Sequence, residues 1–319
     1  MIGYGNVARA LAALLGRKRR EFPFTITGVH TLRHGTAVDS AGLPQNPEFG
    51  ARAGSVEAFL DAARADIAVE LTTLNPSTGE PAISHIRAAF ACGMHVVTAN
   101  KGPLAHAYTS LRDQARDADL RFRFESAVMD GAPVFNLWDH ALPGLKVLGF
   151  VGVLNSTTKV IIEAMENGAS FEEGLARARA MGITEGDGSF DVEGWDAAAK
   201  AAALANVLMD ARTTPQAVST RGISRLTPER MEEINRQEKT VRLVARGKRV
   251  SAGVSLRVRA EVLDRADLLA CTPGTSNLIL FHTDLMGTFG TVSIDPGVEQ
   301  TAYGVFSDLV NIARACGEA

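Results

Sequence analysis

The sequence predicts an α/β fold with two domains. Strand-like and helix-like runs alternate between residues 24 and 126, which is the pattern of a parallel sheet covered by helices. Between residues 239 and 294, strand-like runs follow one another directly, which favours paired strands. We therefore expect a first domain over residues 1–128 and a second, α+β domain with a mixed sheet over residues 129–300, with a closing helix at 301–315 that packs back on the first.

Composition and charge exclude several classes of protein. The formal net charge is -3 at pH 7, so neither nucleic acid nor an anionic membrane is an expected partner. We find no run of about 18 or more apolar residues and no signal peptide pattern, so we expect no membrane segment. Cys92, Cys271 and Cys316 lie far apart without metal-like spacing, which is typical of a reducing cytoplasm. The expected partner is a small molecule.

A glycine pattern, Gly3-x-Gly5-x-x-Ala8, opens the chain ahead of an amphipathic helix. Glycines let the backbone approach a pyrophosphate, whose charge then meets the helix N-terminus. The pattern predicts a Rossmann-type dinucleotide site, although a fingerprint of this kind is weakly specific by itself. Only Met1 and Ile2 represent the strand that should precede it, so we expect either a late start or a truncated first strand. The residues expected at the cofactor here are Gly3, Gly5, Asn6 and Val7.

The next strand-like run, residues 24–30, bears on which cofactor is used. An acid near the end of this strand would hold a free ribose 2′-hydroxyl in an NAD site. The chain has no acid there, and Arg33 follows with His34 beside it. A guanidinium suits a 2′-phosphate, so Arg33 favours NADP over NAD, with a solvent-exposed arginine as the alternative.

Further along the first domain, polar residues follow a buried strand. The motif Ala99-Asn100-Lys101 comes directly after the strand-like run at 95–98. Open α/β sheets bind ligands at the carboxyl ends of their strands, where a lysine can hold a carboxylate or a reacting oxygen. The other elements predicted for this domain are strands at 66–71 and 120–126 and helices at 80–92 and 108–117.

In the second domain, residues 146–182 predict a strand, a loop and two helices. Ser170 and Glu173 have the spacing of a capping box, and Thr227 with Pro228 predicts the start of a later helix. The strands predicted after that are at 239–246, 254–263, 278–283 and 287–294.

The stretch from Gly182 to Leu208 is chemically the most unusual part of the chain. It joins an acid-rich glycine loop to an alanine-rich helix whose interior charge is Lys200, one turn after Asp196. A helix that is apolar nearly all round is usually buried. Burial favours a neutral lysine and a nearby carboxylate favours a charged one, so this lysine suits proton transfer near neutral pH. Spacing alone leaves open an ordinary surface pair worth about 0.2–0.5 kcal/mol.

Together, the motifs resemble homoserine dehydrogenase nearly end to end. They are GYGNV, VELT, VVTANKGPLA, FESAV with GAP, GVLNSTT and GITEGDGSFDVEGWDAAAK. The length implies the short, monofunctional form without a regulatory domain. The resemblance implies NAD(P)-dependent interconversion of L-homoserine and L-aspartate 4-semialdehyde, in threonine and methionine biosynthesis. It also implies a cytoplasmic homodimer formed through the sheet of the second domain, which would be the catalytic and dimerisation domain.

The resemblance assigns roles to individual residues. The catalytic residues are Lys200, its partner acid Asp196, and Lys101. The substrate-binding residues are Glu185, which matches an acid that holds the substrate's ammonium, Asp191 and Thr157. The cofactor residues are Gly3, Gly5, Asn6, Val7, Arg33, Thr72, Asn100 and Lys101. A turn in the family coordinates sodium or potassium through backbone oxygens, here those of Glu125, Val128, Asp130 and Ala132; a purely structural turn is the alternative.

Three features depart from the family pattern. Ser156 and Lys159 stand where glycine and asparagine are common, residues 295–302 replace a glycine-rich segment, and Gly188 stands where proline is frequent. We expect Lys159 to be exposed near a helix start; if it faced the pocket, the substrate would be more acidic than homoserine. Another small hydroxy acid as substrate, and a catalytically silent NADP-binding protein, are the alternatives.

Overall fold

The computed structural model describes residues 1–184, 186 and 188–317. The helices are α1 (Asn6–Lys18), α2 (Val56–Ala63), α3 (Ala82–Ala91), α4 (Lys101–Asp117), α5 (Ser126–Met129), α6 (Phe135–His140), α7 (Ser156–Glu166), α8 (Phe171–Ala180), α9 (Ser189–Val192), α10 (Trp195–Leu208), α11 (Pro228–Arg236) and α12 (Val298–Ala315). The strands are β1 (Gly28–Thr31), β2 (Gly35–Val38), β3 (Ile67–Glu70), β4 (His95–Thr98), β5 (Phe122–Arg123), β6 (Val147–Val153), β7 (Ser219–Arg221), β8 (Lys239–Val250), β9 (Gly253–Asp264), β10 (Asn277–Thr283) and β11 (Thr288–Ser293).

The chain divides into two compact units, residues 1–136 with 297–319 and residues 137–296. We had placed the domain boundaries at 128/129 and 300/301. The roles assigned to the two domains stay predictions. Within the described part of the chain, no helix is long and apolar enough to cross a membrane.

In the first unit, a parallel sheet is assembled around a single residue near the N-terminus. Strands β3, β4 and β5 pair in parallel, and β1 pairs with β2 in the antiparallel sense. Ile2 connects the two parts, because it forms parallel bridges to both His30 and Glu70. Its N–H donates to the Val69 carbonyl at 2.8 Å, and its own carbonyl accepts from Leu71 at 2.8 Å. Ile2 therefore holds the central position that a first strand would occupy.

Helices cover this parallel sheet on both faces. Side chains alternate between faces along a strand, and the neighbours Val96 and Val97 accordingly enter different hydrophobic clusters. Val96 packs with Phe59 and Ile86, whereas Val97 packs in the cluster that joins α1 to α12. Burial on both faces explains why these strands read as continuous apolar runs.

The second unit contains a mixed sheet, as predicted. Its strand order is β11-β10-β6-β8-β9-β7. Neighbouring strands pair antiparallel except β7 and β9, which are parallel. Helix α10 packs on β8 and β9, and its Ala198, Ala201 and Ala202 have no exposed surface. These short side chains let the helix backbone approach the sheet closely.

Several predicted elements have different bounds in the structure. Helix α4 begins at Lys101 instead of residue 108, because the Asn100 side chain caps it by accepting from the Gly102 N–H at 2.9 Å. Gly102 and Pro103 look like helix breakers in the sequence, but proline is tolerated in a first turn, where its N–H has no helical partner. The predicted strand at 24–30 is β1 at Gly28–Thr31, and the one at 120–126 shortens to β5. The elements that were not predicted are β2, β7, α2, α5, α6 and α9.

Candidate active site

The loop between β6 and α7 brings backbone and side-chain groups to α10. The Lys200 Nζ donates to the Leu154 carbonyl at 2.6 Å and lies 3.1 Å from Asp196 Oδ2. The Lys200 side chain is 16% exposed and that of Asp196 is 4% exposed. The pair is therefore largely buried, which removes the alternative of an ordinary surface ion pair.

Asn155 joins the acids beside Lys200, although the sequence analysis assigns it no role. Its Nδ2 donates to Asp191 Oδ1 at 2.6 Å and to Asp196 Oδ2 at 2.9 Å. Its Oδ1 accepts from the Thr158 N–H at 2.8 Å and so caps α7. The capping position after a strand was readable in the sequence, but the two carboxylate partners were not. We call Asn155, Asp191, Asp196 and Lys200 the lysine cluster.

Two glycines set the backbone around the acids of this cluster. Gly188 and Gly194 have φ of 82° and 84°, and they cap α9 and α10. Side-chain-bearing residues rarely adopt this left-handed conformation. Asp191 lies on α9 and Asp196 in the first turn of α10, so the glycine-rich composition allows two carboxylates to converge on one amide. Glu185 lies outside the described residues, as does Asp187, and the role of Glu185 stays a prediction.

Lys159 is buried, so the expectation of an exposed lysine was wrong. It is 1% exposed, and its Nζ donates to the Ser276 carbonyl. Burial lowers its pKa to about 8, and the nearby Glu163 partly opposes that shift. Thr157, also 1% exposed, donates to the Ile183 carbonyl at 2.9 Å.

Three of the positions that depart from the family pattern, Ser156, Lys159 and Asp295, converge on one loop, residues 274–276. The Ser156 hydroxyl donates to the Thr275 carbonyl at 2.8 Å, next to the Lys159 contact with Ser276. The Asp295 N–H donates to the Ser276 hydroxyl at 3.1 Å. Ser156, Lys159 and Asp295 therefore belong to one set of contacts that holds this loop.

The glycine turn of the first unit fits a dinucleotide. Gly3 has φ of 94°, and an added Cβ would lie 2.5 Å from the Leu71 carbonyl oxygen. At Gly5, the N-cap of α1, an added Cβ would meet no atom within 4 Å. No side chain of the described chain caps α1, so open space meets a helix N-terminus, which suits a phosphate. Asn6 and Val7 form the first turn of this helix.

Arg33 lies at the exposed tip between β1 and β2. The tip is shaped by Thr31, whose hydroxyl accepts from the His34 N–H at 2.8 Å and donates to the Gly35 carbonyl at 3.2 Å. The structure thus places Arg33 on a short, fixed turn at the end of a strand, where its guanidinium is accessible.

A buried carboxylate joins the carboxyl ends of β3 and β4. Glu70 is 1% exposed and accepts from the Thr72 N–H at 2.9 Å, the Thr72 hydroxyl and the Thr98 hydroxyl at 2.8 Å. Asn100 donates from its backbone to the Thr98 hydroxyl and from its side chain to the Thr72 carbonyl. We call Glu70, Thr72, Thr98 and Asn100 the threonine cluster. Lys101 is half-buried at the next position.

The predicted cation turn is held by carboxylates from two elements. The Glu125 carboxylate accepts from the backbone N–H groups of residues 134–136. The Glu125 N–H donates to Asp308 on α12 at 2.7 Å, and burial raises the pKa of Asp308 to about 7. Asp130, at φ of 56°, ends α5. The described residues contain no group of three or more histidine, cysteine, aspartate or glutamate side chains arranged to hold a metal.

The first unit matches a known nucleotide-binding family. Residues 3–125 match the family model for the homoserine dehydrogenase NAD binding domain. Such domains position a nicotinamide cofactor while other protein groups handle protons. The chain is an NAD(P)-dependent oxidoreductase that acts on a CH–OH group.

The rest of the chain narrows this class to one family. Residues 133–310 match the homoserine dehydrogenase family model. The NAD(+)-dependent homoserine dehydrogenase of Pseudomonas canavaninivorans is 36% identical over 99% of this chain and 96% of its own length. The homoserine dehydrogenase of Methanocaldococcus jannaschii is 33% identical, over 98% of this chain and 97% of its own. The chain belongs to the homoserine dehydrogenase family.

Solved structures of homoserine dehydrogenases have a similar fold. A putative homoserine dehydrogenase from Archaeoglobus fulgidus has a TM-score of 0.85 and 28% identity, covering 98% of this chain and 97% of the other. The homoserine dehydrogenase of Thermoplasma acidophilum has a TM-score of 0.85 and 27% identity, covering 98% of each chain. Both matches span nearly the whole length of the two chains compared.

Proposed function

We propose that this protein interconverts L-homoserine and L-aspartate 4-semialdehyde, with Lys200 moving the proton of the substrate's hydroxyl group. The observation that carries the proposal is the lysine cluster. Among the described residues, two partners occupy the Lys200 ammonium, the Leu154 carbonyl and the Asp196 carboxylate. An ammonium has three N–H groups, so the described residues leave one for a substrate oxygen. The low exposure of the pair keeps water from competing for it.

The other residues divide between position and recognition. When bound, the nicotinamide supplies hydride exchange. Asp196 holds the lysine, while Asp191, Thr157 and Glu185 bind polar groups of the substrate; the family resemblance assigns its ammonium to Glu185. The family resemblance assigns Lys101 the role of a second catalytic lysine. Thr72 and Asn100, fixed by Glu70, shape the surface against which the nicotinamide would lie.

The structure weakens the case for a more acidic substrate. That case required Lys159 to face the pocket, but its ammonium is buried against the Ser276 carbonyl. Activity should therefore be highest with homoserine. The experiment is an assay at the reduced-nicotinamide absorbance band with homoserine and a panel of small hydroxy acids, free and phosphorylated. Faster turnover of another hydroxy acid would replace homoserine as the substrate, and tight NADPH binding without any turnover would favour the silent protein.

We propose NADP as the preferred cofactor, because no acid follows β1 and Arg33 stands accessible on the turn. Arg33→Ala should raise the KM for NADP about tenfold, the order of one lost charged contact of roughly 1.4 kcal/mol, and leave the KM for NAD nearly unchanged. Arg17→Ala, at an exposed arginine in the last turn of α1, is the matched control. Equal effects on the two cofactors would remove the phosphate role and favour NAD, which the Pseudomonas relative's name specifies.

We propose further that backbone oxygens of Glu125, Val128, Asp130 and Ala132 bind sodium or potassium. Hard oxygen donors suit such ions, and the Glu125 carboxylate is already occupied by backbone N–H groups. Rates in choline chloride equal to those in sodium and potassium chloride would identify a structural turn instead.

We also propose a cytoplasmic homodimer through the second sheet, on which Val262 and Val292 are 44% and 49% exposed. Analytical ultracentrifugation of the purified protein tests this, and a sedimenting mass equal to one chain would contradict the dimer.

A further inference from the structure

We propose that Asn155 is a positioning residue that holds Asp191 and Asp196 together and thereby orients Lys200. The inference rests on the proposed function of Lys200. Asn155 is 3% exposed, and its two carboxylate partners are 1% and 3% exposed. An asparagine amide offers two N–H donors, and here each donor meets a different carboxylate, at 2.6 and 2.9 Å.

The choice of an amide has a physical reason. Two buried carboxylates in one site repel each other, and proteins stabilise such groups by hydrogen bonding them. A lysine or arginine at position 155 would satisfy them too, but it would also compete with Lys200 for Asp196. The asparagine bridges both acids while adding no charge. Asp196 Oδ2 thus receives one neutral donor, Asn155, and one charged donor, Lys200.

The Asn155 side chain also fixes the position of the amide that joins Asp191 to Asp196. Its Oδ1 caps α7 through the Thr158 N–H at 2.8 Å, and the preceding residue, Leu154, gives its carbonyl to Lys200 at 2.6 Å. Two successive residues at the end of β6 therefore hold both the lysine and the acid that pairs with it. Movement of this segment would displace Lys200 from both partners.

Asn155→Asp separates the two roles of the residue. Aspartate is a good helix cap, so the contact with Thr158 is retained, but the bridging N–H groups are replaced by a third carboxylate. The kcat for homoserine should fall about 10- to 100-fold, because small displacements of reacting groups are costly, while the KM for the cofactor stays within about twofold. The acid limb of the kcat–pH profile should move to higher pH, since a third charge makes protonation of the cluster easier.

Stability supplies a readout that needs no substrate. At alkaline pH three carboxylates repel one another, whereas at acid pH one is protonated and donates a hydrogen bond. The loss in Tm relative to wild type should therefore shrink as the pH is lowered from about 8 to about 5. Thr227→Asp is the matched control, because Thr227 caps α11 and is exposed; its effect on Tm should lack this dependence. Asn155→Ser keeps a neutral cap without the bridge and should also lower kcat.

The outcomes test the positioning role of Asn155 separately from the proposed function of the protein. If both Asn155 variants keep the wild-type kcat and pH profile, with a Tm difference that is independent of pH, the bridge has no positioning role. If Asn155→Asp does not fold, the kcat of Asn155→Ser decides. Absence of wild-type turnover would count against the proposed function alone, because the pH-dependent stability comparison would still test the bridge.

Discussion

The lysine cluster and the threonine cluster both contain buried carboxylates, yet they differ in the groups that pair with them. Asp196 is paired with an ammonium at 3.1 Å. Glu70 accepts hydrogen bonds from neutral donors, the Thr72 N–H and the hydroxyls of Thr72 and Thr98, and the His85 ring lies 4.0 Å away. An ammonium beside a carboxylate, with one N–H that the described residues leave unoccupied, suits proton exchange, whereas a carboxylate that accepts from backbone and hydroxyl donors fixes the backbone. Burial of an acid therefore does not by itself indicate catalysis.

Removing the ammonium should have the largest effect. Lys200→Ala should lower kcat about 10²- to 10⁴-fold, the usual contribution of a positioned acid or base, and leave NADPH affinity within about threefold. Steady-state kinetics and NADPH fluorescence titration measure the two quantities. Lys239→Ala, at a lysine whose side chain is 40% exposed, is the control and should behave as wild type. Rates for Lys200→Ala close to wild type would erase the distinction between the clusters.

Removing the charge of Glu70 in the threonine cluster should change stability and cofactor binding more than the rate of the chemical step. Glu70→Gln replaces one acceptor oxygen by an amide that faces donors, so it should destabilise the protein by about 1–3 kcal/mol. The KM for the cofactor should rise, because Thr72 and Asn100 shift, while kcat changes less than in Lys200→Ala. Urea unfolding and kinetics check this, with the exposed Glu57→Gln as control. A kcat loss as large as that of Lys200→Ala would show that Glu70 takes part in the chemistry.

Asp308 is a third buried carboxylate, and the effect of burial on its pKa outweighs the opposite effect of its hydrogen bonds. Burial raises its pKa from 3.8 to about 7, so the folded chain retains a proton that the unfolded chain releases between those values. The stabilisation is therefore complete below about pH 4 and is lost as the pH rises to about 7. Urea unfolding of wild type and Asp308→Asn across this range should show a shrinking advantage for wild type. A constant difference between the two would mean that Asp308 does not titrate on unfolding.

Local patterns predicted much of the fold. Strand β4 has the predicted bounds, and the capping box of Ser170 and Glu173 and the Thr227 cap are both present. These features depend on residues within a few positions of each other. Helix α4 was misplaced because Asn100 provides a cap that outweighs the apparent breakers after it. The buried state of Lys159 was missed because its partner, Ser276, is 117 residues away.

The sequence by itself determined the periodicities of strands and helices, the glycine turn at Gly3, whose backbone has a positive φ, and the buried character of α10. It also indicated Asp196 and Lys200 as a pair, since they are one helical turn apart. Only the tertiary structure decided that Asn155 joins Asp191 to Asp196, across 36 and 41 residues. The reason is that a buried polar group requires a partner, but which partner it meets depends on how separate elements pack.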